Sequence, residues 1–124
     1  MYDFNYHRPD TLDAACGALS GNDEAKVVAG GMTLVPTLKQ RLAQVSDLID
    51  LGGIASLKEI KRDGDTLVVG AMATHDSVNR SDVVKSAIPA LAALAGGIGD
   101  AQVRNRGTIG GSVANADPSA DYPA

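Results

Sequence analysis

Residues 26 to 51 constrain the fold more than any other stretch of this chain. Lys26-Val27-Val28-Ala29 is a short apolar run halted by Gly30-Gly31, and Thr33 then precedes Leu34, Leu38 and Leu42, which stand four apart on one helical face. Asp47-Leu48-Ile49-Asp50-Leu51 follows as a second apolar run, closed by Gly52-Gly53. Strand, glycine turn, helix and strand in that order predict a βαβ unit with parallel pairing, and so an α/β chain. Pro36 fits the first helical turn, where an amide has no intrahelical partner to lose, provided any cap from Thr33 serves another amide.

The flanks carry weaker signals. Asp10-Thr11 ahead of Leu12, Ala15 and Leu19 predicts a capped helix ending near Ser20-Gly21-Asn22, with Asp13 well placed for its positive end. Asp63-Gly64 between residues 59 to 62 and 65 to 69 predicts a tight β-hairpin. Thr74 opens a short helix reaching Val78. Val84, Ile88, Leu91, Ala95 and Ile98 then predict one buried helix running into Gly96-Gly97 and Gly99. From Ala101 onward no helical or strand period is visible, and Gln102 to Ser112 reads as a functional loop.

Composition narrows the function. With 124 residues the chain has room for one domain or part of one. Aromatic residues make up 3% and Trp is absent, so the core must be built from small aliphatic side chains and closely packed backbones. The net charge of -4 argues against nonspecific binding to nucleic acid or anionic membrane, and any anionic ligand must be held locally. No apolar run approaches the roughly 18 residues of a membrane span, and the amino terminus lacks a secretory signal, so a cytoplasmic protein is expected. The single cysteine, Cys16, can form no internal disulfide and reads as a buried, inert thiol on the first helix. His7 and His75 lack partners at a recognised catalytic or metal-binding spacing and read as structural. No catalytic residue and no metal ligand is assigned. The polar stretch from Ser112 to Ala124 ends without a closing element, which suggests truncation.

The two glycine turns remain as candidates for chemistry. Gly30-Gly31 either points consecutive amides at an anion such as a pyrophosphate or only supplies a positive-φ turn. Gly107-Thr108-Ile109-Gly110-Gly111-Ser112 adds two hydroxyls to exposed amides, with Asn115 and Asp121 close behind. Arg104 and Arg106 steer a ligand or pair with Asp100 and Asp117. A Gly-x-Gly-x-x-Gly fingerprint and a phosphate-loop ending are both missing, which counts against dinucleotide-fold and P-loop readings.

Residues 29 to 36, Ala-Gly-Gly-Met-Thr-Leu-Val-Pro, together with 102 to 121, which include Gly107-Thr108-Ile109-Gly110-Gly111-Ser112 and Asn115-Ala116-Asp117-Pro118-Ser119-Ala120-Asp121, resemble the medium, FAD-binding subunit of the carbon monoxide dehydrogenase and xanthine dehydrogenase group of molybdenum hydroxylases. Two motifs occur in family order with the hairpin between them, and residues 2 to 12 resemble the family's opening segment. The resemblance implies the N-terminal part of a vanillyl-alcohol-oxidase-type FAD-binding domain. Its first subdomain would cover about residues 1–55, and a second would begin at about 56–124, with FAD lying between two subdomains and its pyrophosphate against the two glycine turns. Carried over by position, Val28, Ala29, Gly30, Gly31, Met32 and Thr33 form the first cofactor loop, and Thr108, Gly110, Gly111, Ser112, Asn115 and Asp121 face the pyrophosphate, ribityl chain or flavin. Met32 replaces a polar residue frequent in the family, and Ser112 a frequent Asn. The implied function is transfer of electrons from an iron-sulfur small subunit through FAD to an external acceptor, with a molybdopterin large subunit as the other partner. The rival reading is a noncatalytic anion-binding or subunit-assembly module without flavin.

Overall fold

The structure, a computed structural model, describes residues 1–123. It divides into two compact units, Met1–Ala55 and Ser56–Ala124. The fold is mixed α/β, with small sheets and flanking helices, as the strand and helix order predicts.

The first unit contains β1 (Asn5–His7), α1 (Leu12–Leu19), β2 (Lys26–Val28), α2 (Leu34–Lys39) and β3 (Asp47–Asp50). The predicted strand-helix-strand unit is β2-α2-β3, paired in parallel with Lys26 opposite Leu48 and Val28 opposite Asp50. β1 adds a third parallel strand on the other side of β3, giving the order β1-β3-β2. Nothing in Asn5-Tyr6-His7 announces a strand, because all three residues are exposed and no apolar alternation develops. Val28, Leu38, Val45 and Leu48 form a core against which Phe4, Leu34 and Ala43 pack. Burial of each such aliphatic side chain contributes about 1.5–3 kcal/mol.

The polar end of β1 is held to β3 by side chains. His7 Nε2 lies 2.7 Å from Asp47 Oδ1, and Asn22 donates to Asp47 Oδ2 at 2.9 Å. His7 first, then Ser46, holds the Asp47 carboxyl down at about 2. Thr11 Oγ1 accepts from the Ala14 amide at 3.2 Å and starts α1 as predicted. Only Ala15 of that helix is buried, so Cys16 is exposed rather than buried. α2 stops three residues short of the predicted face. Arg41 takes a left-handed φ of 58°, its amide bonds to Leu38 O and the Leu42 amide to Thr37 O, the paired bonds of a Schellman ending. Leu42 is thereby turned outward and is 74% exposed.

The second unit begins with β4 (Ile60–Asp63) and β5 (Thr66–Val69), an antiparallel hairpin. Its closing pair is Asp63 and Thr66, so the loop residues are Gly64 and Asp65, one position later than the predicted pair. Gly64, at φ 57°, supplies the positive φ that a II′ turn requires at its first position. Next come α3 (His75–Arg80), α4 (Asp82–Ala87) and α5 (Pro89–Gly96). The single buried helix expected from Val84 to Ile98 is broken in two. Pro89 forces Ile88 out of helical geometry, to φ -140° and ψ 78°, and Ile88 is exposed.

The expected loop after Ala101 is also helical, forming α6 (Ala101–Arg106) and α7 (Ile109–Asn115). Each is too short to show an apolar stripe, and each is started by a cap. Asp100 Oδ1 accepts from the Val103 amide at 2.8 Å, and Thr108 Oγ1 from the Gly111 amide at 3.0 Å. Ala73, Val78, Val84, Ala92 and Ala95 form the core of this unit, with Ile60, Leu67, Val69, Leu91, Ile109 and Tyr122 packed against it. No described helix is long and apolar enough to cross a membrane.

Candidate cofactor site

The first glycine turn leaves the carboxyl end of β2 and enters α2. Val28 is buried, Ala29, Gly30 and Gly31 are half-buried, and Met32 and Thr33 are exposed. Gly31 has φ 74°, and a Cβ added there would meet Val35 Cγ2 at 2.8 Å. Its carbonyl accepts from the Val35 amide at 3.0 Å, which starts the helix. Thr33 adopts near-helical angles and makes no side-chain cap. The amides of Gly30, Gly31, Met32 and Thr33 donate to no acceptor among the described residues. Four successive amides at the carboxyl end of a parallel strand are a donor set suited to a phosphate group.

The second glycine turn is built differently. Ile109 donates to Ala73 O at 3.1 Å, Gly110 to Ala71 O at 2.9 Å, Gly111 to Thr108 Oγ1 at 3.0 Å and Ser112 to Thr108 O at 3.0 Å. The expectation of exposed amides here is therefore overturned, because the fold itself uses them. Gly110 is glycine for packing, since a Cβ would lie 2.5 Å from Ala71 O and 2.8 Å from Ala71 Cα. Thr108 is 4% exposed and bridges to Thr74, so its hydroxyl serves the α7 cap.

What this second segment offers a ligand is side chains. Ser112 is half-buried, Asn115 and Asp121 are exposed, and none of the three makes a side-chain hydrogen bond or ion pair among the described residues. Ser112, Ala116, Asp117 and Tyr122 help to line a groove of about 380 Å³. Arg104 does not pair with Asp100. It donates to the carbonyls of Ile98 at 3.2 Å and Gly99 at 3.0 Å and so closes the turn after α5. Arg106 and Asp117 form no ion pair among the described residues.

One pair escaped sequence reasoning. His75 Nδ1 lies 2.8 Å from the Tyr122 hydroxyl, and the two rings are 5.4 Å apart at a tilt of 53°. Burial lowers the His75 pKa, partly opposed by the charge of Asp121, while burial and that same charge push Tyr122 up to about 12. Both partners are thus neutral near pH 7. Forty-seven residues separate them, and no local pattern links them.

Residues 2–124 match the family described as the FAD binding domain in molybdopterin dehydrogenase. The chain belongs to that family. The FAD-binding domain is 44% identical over 123 residues to the carbon monoxide dehydrogenase medium chain of Hydrogenophaga pseudoflava, a match covering 98% of this chain and 42% of that one. It is 39% identical over 118 residues to the nicotine 6-hydroxylase medium subunit of Paenarthrobacter nicotinovorans, covering 95% and 42%. Among solved structures, a chain of carbon monoxide dehydrogenase from Hydrogenophaga pseudoflava superposes with a TM-score of 0.96 at 43% identity, over 99% of this chain and 43% of that chain. The FAD-binding domain described here thus spans about two fifths of the length of these relatives.

The residues present fit FAD. The acidic net charge of -4 offers a pyrophosphate no general attraction, and the unbonded amides of residues 30 to 33 supply local donors instead. The exposed Met32 side chain adds no hydrogen bond there. Ser112 and Asn115 keep donors and acceptors free for hydroxyl or phosphate groups.

Proposed function

We propose that this chain forms the FAD-holding part of the medium subunit of a molybdenum hydroxylase, partnered by an iron-sulfur small subunit and a molybdopterin large subunit in the cytoplasm. The observation that carries this reading is the set of four unbonded amides at Gly30, Gly31, Met32 and Thr33 in a chain of this family. When bound, FAD supplies the exchange of electrons between iron-sulfur centres and an external acceptor. Protein groups bind and orient. The amides of residues 30 to 33 would hold its phosphate oxygens, with the buried Val28 and half-buried Ala29 fixing the strand end that leads into them. Thr108, Gly110 and Gly111 keep α7 against the backbone of Ala71, and so set where Ser112 and Asn115 present their side chains. The exposed Asp121 carboxylate would accept hydrogen bonds from hydroxyl or ring N–H groups of the bound cofactor. No residue of the chain needs to act as acid, base or nucleophile. The exposed and unpaired thiol of Cys16 agrees with a reducing compartment.

Titration with FAD, FMN and riboflavin, followed by flavin fluorescence, tests the reading. FAD should bind at least about tenfold more tightly than riboflavin, because only FAD brings a pyrophosphate to the open amides. Equal affinity for FAD and riboflavin, or no binding of either, would overturn it in favour of an assembly module.

A further inference from the structure

We propose that His75 is a positioning residue for the flavin site: its hydrogen bond to Tyr122 tethers residues 117 to 123 and so sets where Asp121 stands. This rests on the flavin reading above.

His75 is itself firmly placed. It opens α3, whose start is capped by Thr74 Oγ1 accepting from the Ser77 amide at 3.1 Å. Its own amide donates to Gly107 O at 3.0 Å, and Thr74 and Thr108 form a bridge beside it. Its ring is buried, and Gly107 has no side chain where the ring lies. A Cβ on Gly107 would come within 2.7 Å of His75 Nε2 and 2.8 Å of Cδ2.

Residues 117 to 123 have no comparable backbone support. Ala116 turns the chain away from α7 with a left-handed φ of 50°, and no helix or strand follows it among the described residues. The Ser119 and Ala120 amides bond only back to Asp117, at 2.9 Å and 3.0 Å. Asp117, Pro118, Ser119 and Asp121 are exposed. Among the described residues, the bond between His75 Nδ1 and Tyr122 is the one hydrogen bond from this segment to the rest of its unit.

Tyr122→Phe would keep the ring packed against the core cluster of this unit and delete only the hydroxyl. The hydroxyl and imidazole together specify one placement of the ring, because each leaves the other unsatisfied anywhere else. Because Asp121 immediately precedes Tyr122, fixing the Tyr122 ring also fixes the stretch of backbone from which the Asp121 side chain leaves.

The test uses the full chain and the variants Tyr122→Phe, Asp121→Ala and their combination. Hydrogen exchange in the absence of ligand should show the Ser119 and Ala120 amides, the two in this segment that have acceptors, exchanging about tenfold faster in Tyr122→Phe, the order expected for losing one buried hydrogen bond, with α3 unchanged. FAD affinity should fall several-fold in Tyr122→Phe and should not fall further when the same change is made in an Asp121→Ala background. Unchanged exchange at Ser119 and Ala120, or an equal loss of affinity in both backgrounds, would overturn the positioning role. Failure of the unaltered chain to bind FAD would sink the flavin reading and the positioning role with it, whereas the exchange result would still decide whether the tether exists.

Discussion

The two glycine turns look alike in sequence and do opposite things with their backbone. Around Gly30-Gly31 the amides of four successive residues are left without acceptors, and Gly31 holds a φ of 74° that a side chain would strain. Around Gly110-Gly111 the amides of residues 109 to 112 are all satisfied internally, and Gly110 is small because the backbone of Ala71 lies against it. A Gly-Gly pair therefore marks close backbone approach, and the hydrogen-bond inventory tells whether the approaching group is a ligand or the protein itself. In the function proposed above, the first turn is the binding element. The second is a joint that presents side chains.

Breaking the joint should produce the largest effect. Gly110→Val places a side chain where Ala71 backbone atoms lie within 3 Å and cannot retreat, and should destabilise the second unit by about 3 kcal/mol in urea unfolding. Gly31→Ala meets side-chain methyls rather than backbone, Val35 Cγ2 at 2.8 Å and Val28 Cγ2 at 3.5 Å, so a small shift of Val35 should leave its stability cost near the 1–2 kcal/mol or so of a left-handed alanine. The same change should weaken FAD binding by about tenfold, because distorting the turn misdirects amides that have no other role. Thr108→Val keeps the shape and deletes the cap on Gly111; a stability loss of about 1 kcal/mol with FAD affinity reduced less than in Gly31→Ala is expected.

The two units should also separate by pH. His75 has a folded pKa below its usual 6.5, so its contribution to the second unit is complete above that value and declines as pH falls below it. Asp47, held at about 2 against an ordinary 3.8, contributes fully above 3.8 and loses its contribution only as pH falls towards 2. Local hydrogen exchange followed from pH 7 to pH 3 should show the surroundings of His75 loosening before those of Asp47. The reverse order would contradict the assignment of these two groups.

Much of the fold was legible where local chemistry and tertiary structure agree. Thr11 and Thr74 cap the helices they precede, and β2 and β3 pair in parallel as their spacing requires. The failures have identifiable causes. Leu42 lies at helical spacing, yet Arg41 in a left-handed conformation ends α2 before it. The apolar face from Val84 to Ile98 ignores Pro89, which splits it. α6 and α7 carry no stripe because caps and bonds to residues 71 to 73, rather than an amphipathic face, hold their amino-terminal ends. Of the candidate site, the glycines and hydroxyls could be read directly. Their division into open and closed amides could not, since it depends on the carbonyls of Ala71 and Ala73, which lie 39 and 36 residues before the Gly110 and Ile109 amides that they accept from.

FAD should meet open amides in the first turn, whereas those of the second are already engaged by the protein itself. Residue-resolved amide exchange by NMR, with and without FAD, measures both at once. Gly30, Gly31, Met32 and Thr33 should exchange rapidly alone and become protected with FAD, while Ile109, Gly110, Gly111 and Ser112 should be protected in both states. Rapid exchange at Gly110 and Gly111 without ligand, or amides at residues 30 to 33 that stay unprotected when FAD is saturating, would contradict it.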